Sequence, residues 1–293
     1  MMMPKRYVLV IAEKPKAAFK IARALSGSKL VKQSLYGIPY WVFYHNGVAY
    51  VIASAAGHLF TLATGDYGFP VFNYYWVPSW VTSKEAKYTK PYYLALKKLC
   101  KNAIAFINAC DYDIEGSVIG YLIIRELGNL NKAYRMKFST LTPQDLRKAF
   151  SSLSKGLDMP MVEAGLCRHE LDWLWGINVS RALMYAVKRV TGKKVILSAG
   201  RVQSPTLMEV VSAEKQRNLF IPTPTFNINV QVSIGGKLYS LEYIGKPFTK
   251  KTDAEEALNR IKREKWATIE NIRYEVEKIK PPPPFNLGDL QAE

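Results

Sequence analysis

Short apolar runs alternate with helical periodicities through the first half of the chain. Tyr7 to Ala12 (YVLVIA) has the length and composition of a buried strand and ends in Glu13-Lys14-Pro15. From Ala17 to Leu25 the apolar residues recur at helical spacing, with Gly27 as a stop. YGIPYWVFYH and VAYVIAS flank Asn46-Gly47, a two-residue hairpin signal, and the second strand runs into Ala55-Ala56-Gly57-His58-Leu59. Residues 60–90 lose this regularity and read as an aromatic, irregular stretch (FNYYWVPSW), suited first to core packing and otherwise to stacking on bases. A helix from Pro91 to Lys101 leads to a second buried run, Ala103 to Ala109, followed by the helical pattern GSVIGYLIIREL. Tyr134 to Leu141 reads as another strand. Thr142 and Pro143 then open a helix as N-cap and first position. The order β-α-β-β-α-β-α-β-α predicts an α/β domain, with a mostly parallel sheet covered by helices on both faces.

After about residue 152 the pattern becomes helical, then β-rich. Met159 to Val190 reads as a long helix with a breaker at Gly176. Val195 to Leu197 and Ser198-Ala199-Gly200-Arg201-Val202-Gln203 follow, and Ser204-Pro205 reads as N-cap and first turn of the next helix. The period then switches to two on either side of Gly235-Gly236, which predicts an antiparallel hairpin. Thr252 with Glu255 reads as a capping box and ATIENIRYEVEKI as a further strand. Four prolines and FNLGDLQAE close the sequence as the entry into something further. These changes divide the chain into 1–152, 153–218 and 219–293.

Charge narrows the function. The formal net charge is +17, and residues 1–150 hold 20 Lys/Arg against 8 Asp/Glu. A basic half of this kind suits a polyanionic partner, nucleic acid first. The three cysteines form no C-x-x-C pair, and with only three histidines they argue against a zinc site and for an intracellular, cytoplasmic protein with reduced thiols. No segment has transmembrane length, and the opening MMMPKRYVLVIAEKP does not read as a signal peptide, because its apolar run is too short and meets Glu13 and Lys14 at once.

The more basic half also carries the most concentrated acid. Asp111, Asp113 and Glu115 sit at alternate positions just past the Ala103–Ala109 run, at the carboxyl edge where open α/β sheets place ligands. Three carboxylates this close repel one another unless a cation offsets them, and a hard divalent ion with oxygen ligands, Mg²⁺ above all, would do so. Arg168 and Asp172, four apart, are spaced to pair on one helix face. Arg201 and Gln203 stand beside a helix N-terminus, a place suited to a phosphate.

Glu13-Lys14, DYDIEG, HELDWLWGINVSRAL, SAGRVQSPTL and PPPPFNLGDLQ, in that order, resemble the N-terminal part of a type IA DNA topoisomerase. Within that group the similarity is to the archaeal, topoisomerase III-like branch. The resemblance implies a Toprim domain over 1–152, a helical single-strand-DNA-binding domain (part) over 153–218, and the first part of a β-rich hinge domain over 219–293. It implies that Glu13 shuttles a proton at the scissile phosphate and that Lys14 neutralises phosphate charge. Asp111, Asp113 and Glu115 become the Mg²⁺ acids. Arg168, Asp172, Ser198, Arg201 and Gln203 become DNA-binding residues, with His58, in a GHL-like stretch, and Arg181 as further candidates.

The reaction so implied relaxes negatively supercoiled DNA or decatenates DNA by ATP-independent, Mg²⁺-dependent transient cleavage of one strand through a 5′-phosphotyrosine, strand passage and religation. Its substrates are single-stranded and negatively supercoiled DNA, by a monomer with a helicase partner and no membrane. None of the 18 tyrosines lies in the family's G-x-I-S-Y-x-R-T context, so the chain is expected to be a fragment, inactive alone. Two other readings stay open: a stand-alone Toprim nuclease or primase-like enzyme, and a non-catalytic DNA-binding module.

Overall fold

The computed structural model describes residues 4–27, 30–264 and 266–286. The chain divides into two compact units, Met1–Ser212 and Ala213–Glu293. In the first, β1 (Tyr7–Ala12) leads through α1 (Pro15–Ser26) to β2 (Val31–Leu35), β3 (Ile38–His45) and β4 (Val48–Ser54). A small hairpin of β5 (Phe60–Ala63) and β6 (Tyr75–Pro78), the single turn α2 (Ser79–Thr82) and α3 (Thr89–Cys100) come next. Then come β7 (Ala103–Asn108), α4 (Ile114–Leu127), β8 (Ala133–Arg135), α5 (Pro143–Ser151) and β9 (Ser154–Lys155). The long α6 (Met159–Thr191) precedes α7 (Gln203–Leu219). The second unit holds β10 (Asn229–Ile234), β11 (Lys237–Glu242) and α8 (Lys251–Arg263).

Seven strands form one mixed sheet in the order β2-β3-β4-β1-β7-β8-β9. Its centre is parallel, with β1 between β4 and β7 and β8 beyond β7; its edges are antiparallel. The two-residue period of β1 explains the layering. Leu9 and Ile11 point to one face with Leu96, Leu99, Leu122 and Ile123 of α3 and α4. Val10 and Ala12 point to the other with Ile21 of α1 and Leu146 of α5. Helices thus cover both faces, and each fully buried Leu or Ile contributes about 1.5–3 kcal/mol of apolar transfer.

Close approach to α4 is made possible by three glycines. A Cβ on Gly120 would stand 2.1 Å from the Asn108 side chain, and one on Gly116 2.2 Å from the Asp111 carbonyl oxygen. Gly165 of α6 sits against Val118 and Ile114, which seats α6 on α4.

Several expectations need correction. Gly176 does not break α6, which runs unbroken through it; one glycine costs about 1 kcal/mol in a helix, little against 33 residues. The strand expected over 134–141 stops at Arg135, because only Met136 continues the bonding, to Asn108, before Lys137 turns to Asp158. Helix α7 begins at Gln203, so Ser204 is not its N-cap; its hydroxyl instead accepts from the Gly200 amide. Thr252 lies inside α8, and Glu255 pairs with Lys251 rather than closing a capping box. The stretch 267–279 forms no strand, since no ladder partner faces it among the described residues. Residues 60–90, expected to be irregular, contain β5 paired with β6. The closing LGDLQAE lies outside the described residues.

Candidate functional site

Because β4, β1 and β7 run parallel side by side, their carboxyl ends deliver three turns to one edge. The ladder continues into those turns: Ala55 N–H donates to Ala12 O (2.9 Å), Gly57 N–H to Glu13 O (3.2 Å) and Ala109 N–H to Ile11 O (2.8 Å). The β4 turn needs left-handed backbone at Ala56 (φ 58°) and Gly57 (φ 89°), and this swing presents His58. Ser79 Oγ–H donates to the His58 carbonyl at 3.2 Å and fixes it.

At the β1 end, Lys14 Nζ lies 3.1 Å from Glu13 Oε1 and 3.7 Å from Asp111 Oδ2, joining two strand ends by one cation. The Glu13 hydrogen bond, then the charges of Glu13 and Asp111, raise the lysine's pKa. Lys14 is well exposed, so it is available to an incoming anion.

The acidic turn is held by a residue the sequence did not single out. Arg135 is 1% exposed, and its Nη1 donates to the carbonyls of Asn108 (2.9 Å), Cys110 (2.8 Å) and Met136 (3.2 Å). Its Nη2 donates to the Asp111 carbonyl (2.8 Å), and the guanidinium lies 5.3 Å from the Tyr112 ring centroid. Burial lowers its pKa, opposed by the surrounding groups. One buried cation thus fixes the path of 108–111 through main-chain oxygens alone. Asp113 spends one carboxylate oxygen capping α4, accepting from Gly116 N–H at 2.7 Å.

Glu115, in the first turn of α4, does not join Asp111. Its Oε2 lies 2.9 Å from His58 Nε2 and 2.8 Å from His169 Nε2, and its Oε1 lies 3.4 Å from Arg168 Nη1. Burial raises the Glu115 pKa, but the His169 hydrogen bond and the charges of His169, His58 and Arg168 outweigh it and hold the carboxyl low. Burial, then the neighbouring His169, lowers the His58 pKa. The Trp76 ring packs edge-on to His169 at 6.2 Å.

Arg168 Nε also reaches Asp172 Oδ2, loosely, at 3.8 Å, while Arg201 Nε takes Asp172 Oδ1 at 2.6 Å. The Arg201 hydrogen bond is the main reason the Asp172 pKa falls. Gln203 Nε2–H donates to the Ser198 carbonyl (3.3 Å), closing the turn before α7.

The structure therefore brings Glu13, Lys14 and Asp111 together, and links Glu115, Arg168, Asp172 and Arg201 in a second chain of charge. Arg181 is placed elsewhere: it donates to the Asp66 and Gly68 carbonyls, 2.9 Å each. His169, which the sequence pattern does not single out, begins the HELDW segment, but its partner Glu115 is 54 positions away. Among the described residues, His58, Glu115 and His169 are the one His/Cys/Asp/Glu triple with ligand atoms all within 4.8 Å of one another. The cysteines are free, and burial pushes the Cys100 thiol up to about 12. No helix of the described residues is long and apolar enough to cross a membrane.

Residues 8–141 match the Toprim domain and residues 156–293 the DNA topoisomerase family. DNA topoisomerase 1 of Aeropyrum pernix is 47% identical over 286 residues, covering 97% of this chain and 42% of that protein. DNA topoisomerase 1 of Methanocaldococcus jannaschii is 41% identical over 97% of the chain and 37% of its own length. DNA topoisomerase 3 of Staphylococcus epidermidis is 30% identical over 97% of the chain and 38% of its length. The chain thus spans well under half the length of these relatives. In fold it is similar to the full-length topoisomerase I of Thermotoga maritima, with TM-score 0.55 and 24% identity over 85% of this chain and 37% of that one.

Proposed function

Because the chain belongs to the type IA DNA topoisomerases, with residues 8–141 as Toprim domain and 156–293 in the DNA topoisomerase domain, we propose that it binds single-stranded DNA along its strand-end edge. There it handles the phosphate and proton of transient strand cleavage and religation. Lys14, shared by Glu13 and Asp111 at two adjoining strand ends, is the observation that supports this most. A phosphate reaching Lys14 meets a carboxyl on one side and a metal-ligand acid on the other.

The acids fit Mg²⁺ in chemistry: Asp111 is 41% exposed beside a single lysine, and Asp113 commits one oxygen of two to its cap. Glu115 joins them only by leaving Arg168 and the two histidines. Bound at Asp111 and Asp113, Mg²⁺ would neutralise charge on the phosphate. Glu13, 13% exposed, acts in its protonated form: it gives the proton to the leaving 3′-oxygen, is left as the carboxylate that Lys14 holds, and takes the proton back on religation. Lys14 balances the negative charge that grows on the phosphate. Arg168, Arg201 and Gln203, positioned through Asp172 and Ser198, hold the strand's backbone. The division 1–152, 153–218 and 219–293, a monomeric state and a helicase partner belong to the same proposal.

The family's cleavage needs a tyrosine in the G-x-I-S-Y-x-R-T context, which none of the 18 tyrosines has. The 293-residue chain is therefore expected to bind DNA and Mg²⁺ without relaxing a supercoiled plasmid. Plasmid relaxation by the purified chain would sink this assignment. Metal-dependent nicking lost in Asp111→Ala would favour a Toprim nuclease instead.

A further inference from the structure

We propose that His58, Glu115 and His169 form a second metal site, selective for a borderline transition ion of the Zn²⁺ class rather than Mg²⁺. The three ligand atoms, two imidazole Nε2 and one carboxylate Oε2, converge from three separate elements: the turn after β4, the first turn of α4 and the N-terminal third of α6. Two imidazoles with one carboxylate, leaving an open position, is a donor set that zinc takes, whereas magnesium keeps to oxygen.

The distances suit an ion. In a tetrahedral site with bonds of about 2.0–2.1 Å, neighbouring ligand atoms lie about 3.3 Å apart. The two histidine–carboxylate separations are 2.9 and 2.8 Å and all three ligand atoms lie within 4.8 Å of one another, so the metal is admitted when Glu115 opens by about half an ångström and the two imidazoles draw in toward the same spacing. Without it, both histidines converge on the same Glu115 oxygen.

The surroundings fix these ligands. Arg168 holds the other carboxylate oxygen, Oε1, and so turns Oε2 toward the histidines. Trp76 packs on the His169 ring, Ser79 anchors the His58 main chain, and Gly165 locks α6 against α4. The two histidines line a cleft of about 390 Å³, with Phe60, Thr61, Ser79 and Thr82 on its walls. That cleft has room for water on the open coordination position. Each ligand side chain is about one-third exposed, which gives an ion a path in.

The site shares Glu115 with the acids assigned to Mg²⁺ above, but its existence does not rest on the topoisomerase reading, and its test needs no DNA. The full 293-residue chain is titrated with Zn²⁺ by calorimetry and with Co²⁺ by visible absorption, at neutral pH, with far-ultraviolet circular dichroism on every variant. Expected are one equivalent of Zn²⁺ and the intense ligand-field bands of four- or five-coordinate Co²⁺. His58→Gln and His169→Gln should each weaken binding by at least about tenfold. Cys167→Ser should leave it unchanged. The proposal is overturned if no stoichiometric binding occurs, if folded His58→Gln and His169→Gln variants bind as tightly as the parent, or if binding is lost with the exposed Cys167 instead.

Discussion

Replacing Arg135 with methionine tests what holds the acidic turn. The guanidinium makes four hydrogen bonds to main-chain carbonyls, three of them at 2.8–2.9 Å, from a side chain 1% exposed. Hydrogen bonds to a charged group contribute about 1.5–3 kcal/mol each, so four are worth roughly 6–12 kcal/mol before compensation. Against that, the variant no longer buries a cation, a cost of several kcal/mol, and methionine fills part of the volume. Arg135 Nε finds no partner, so the native arrangement is itself imperfect. The net expectation for Arg135→Met is a loss of about 3–5 kcal/mol, the balance of several carbonyls left unsatisfied against the relieved burial of the cation. In urea unfolding followed by tryptophan fluorescence, that lowers the midpoint by about 1–2 M. Mg²⁺ affinity, read by calorimetry on the folded variant, should fall as well, because the Asp111 carbonyl is released. A midpoint within about 0.2 M of the parent would refute the claim that Arg135 organises this turn.

Gly120→Ala sets a Cβ 2.1 Å from Asn108, a 1%-exposed side chain tied to Gly116 O and Cys110 N–H. It should cost about 1–3 kcal/mol by thermal or urea unfolding; a neutral result would contradict the close packing of α4 on β7. The Lys137 hydrogen bond, with further help from Tyr112, holds the Asp158 carboxyl below its ordinary 3.8. A depressed carboxyl stabilises the fold fully above its unfolded value, and that stability is lost as pH falls through the lower folded one. Asp158→Asn should therefore flatten the acid limb of a stability–pH curve below about pH 4, and an unchanged limb would remove this contribution.

Much of the strand-end edge was legible because its signals are local. The apolar runs of β1 and β7, Asn46-Gly47 between β3 and β4, and Thr142 as a cap each follow from neighbours in sequence. What escaped depends on distant partners. Strand β2 alternates half-buried and exposed residues and is a strand only because β3 lies beside it. Arg135 acts on carbonyl oxygens, which any sequence would supply at those positions. Glu115 read as a member of an acidic triad by spacing, yet the start of α4 turns it toward histidines 57 positions before it and 54 after it in the chain. Spacing along a strand end shows which acids are near one another, not which way the helix start aims them.

Single-strand DNA binding as a function of salt tests the central claim most directly. Fluorescence anisotropy of a labelled single-stranded oligonucleotide with the 293-residue chain, from 50 to 300 mM KCl, should show log affinity falling linearly with log salt. The slope should be about −2 or steeper if Lys14, Arg168 and Arg201 each meet a phosphate, and Arg201→Ala should flatten it by about 0.7. An affinity that does not change with salt, or an Arg201→Ala slope equal to the parent's, would contradict a DNA strand lying across this edge.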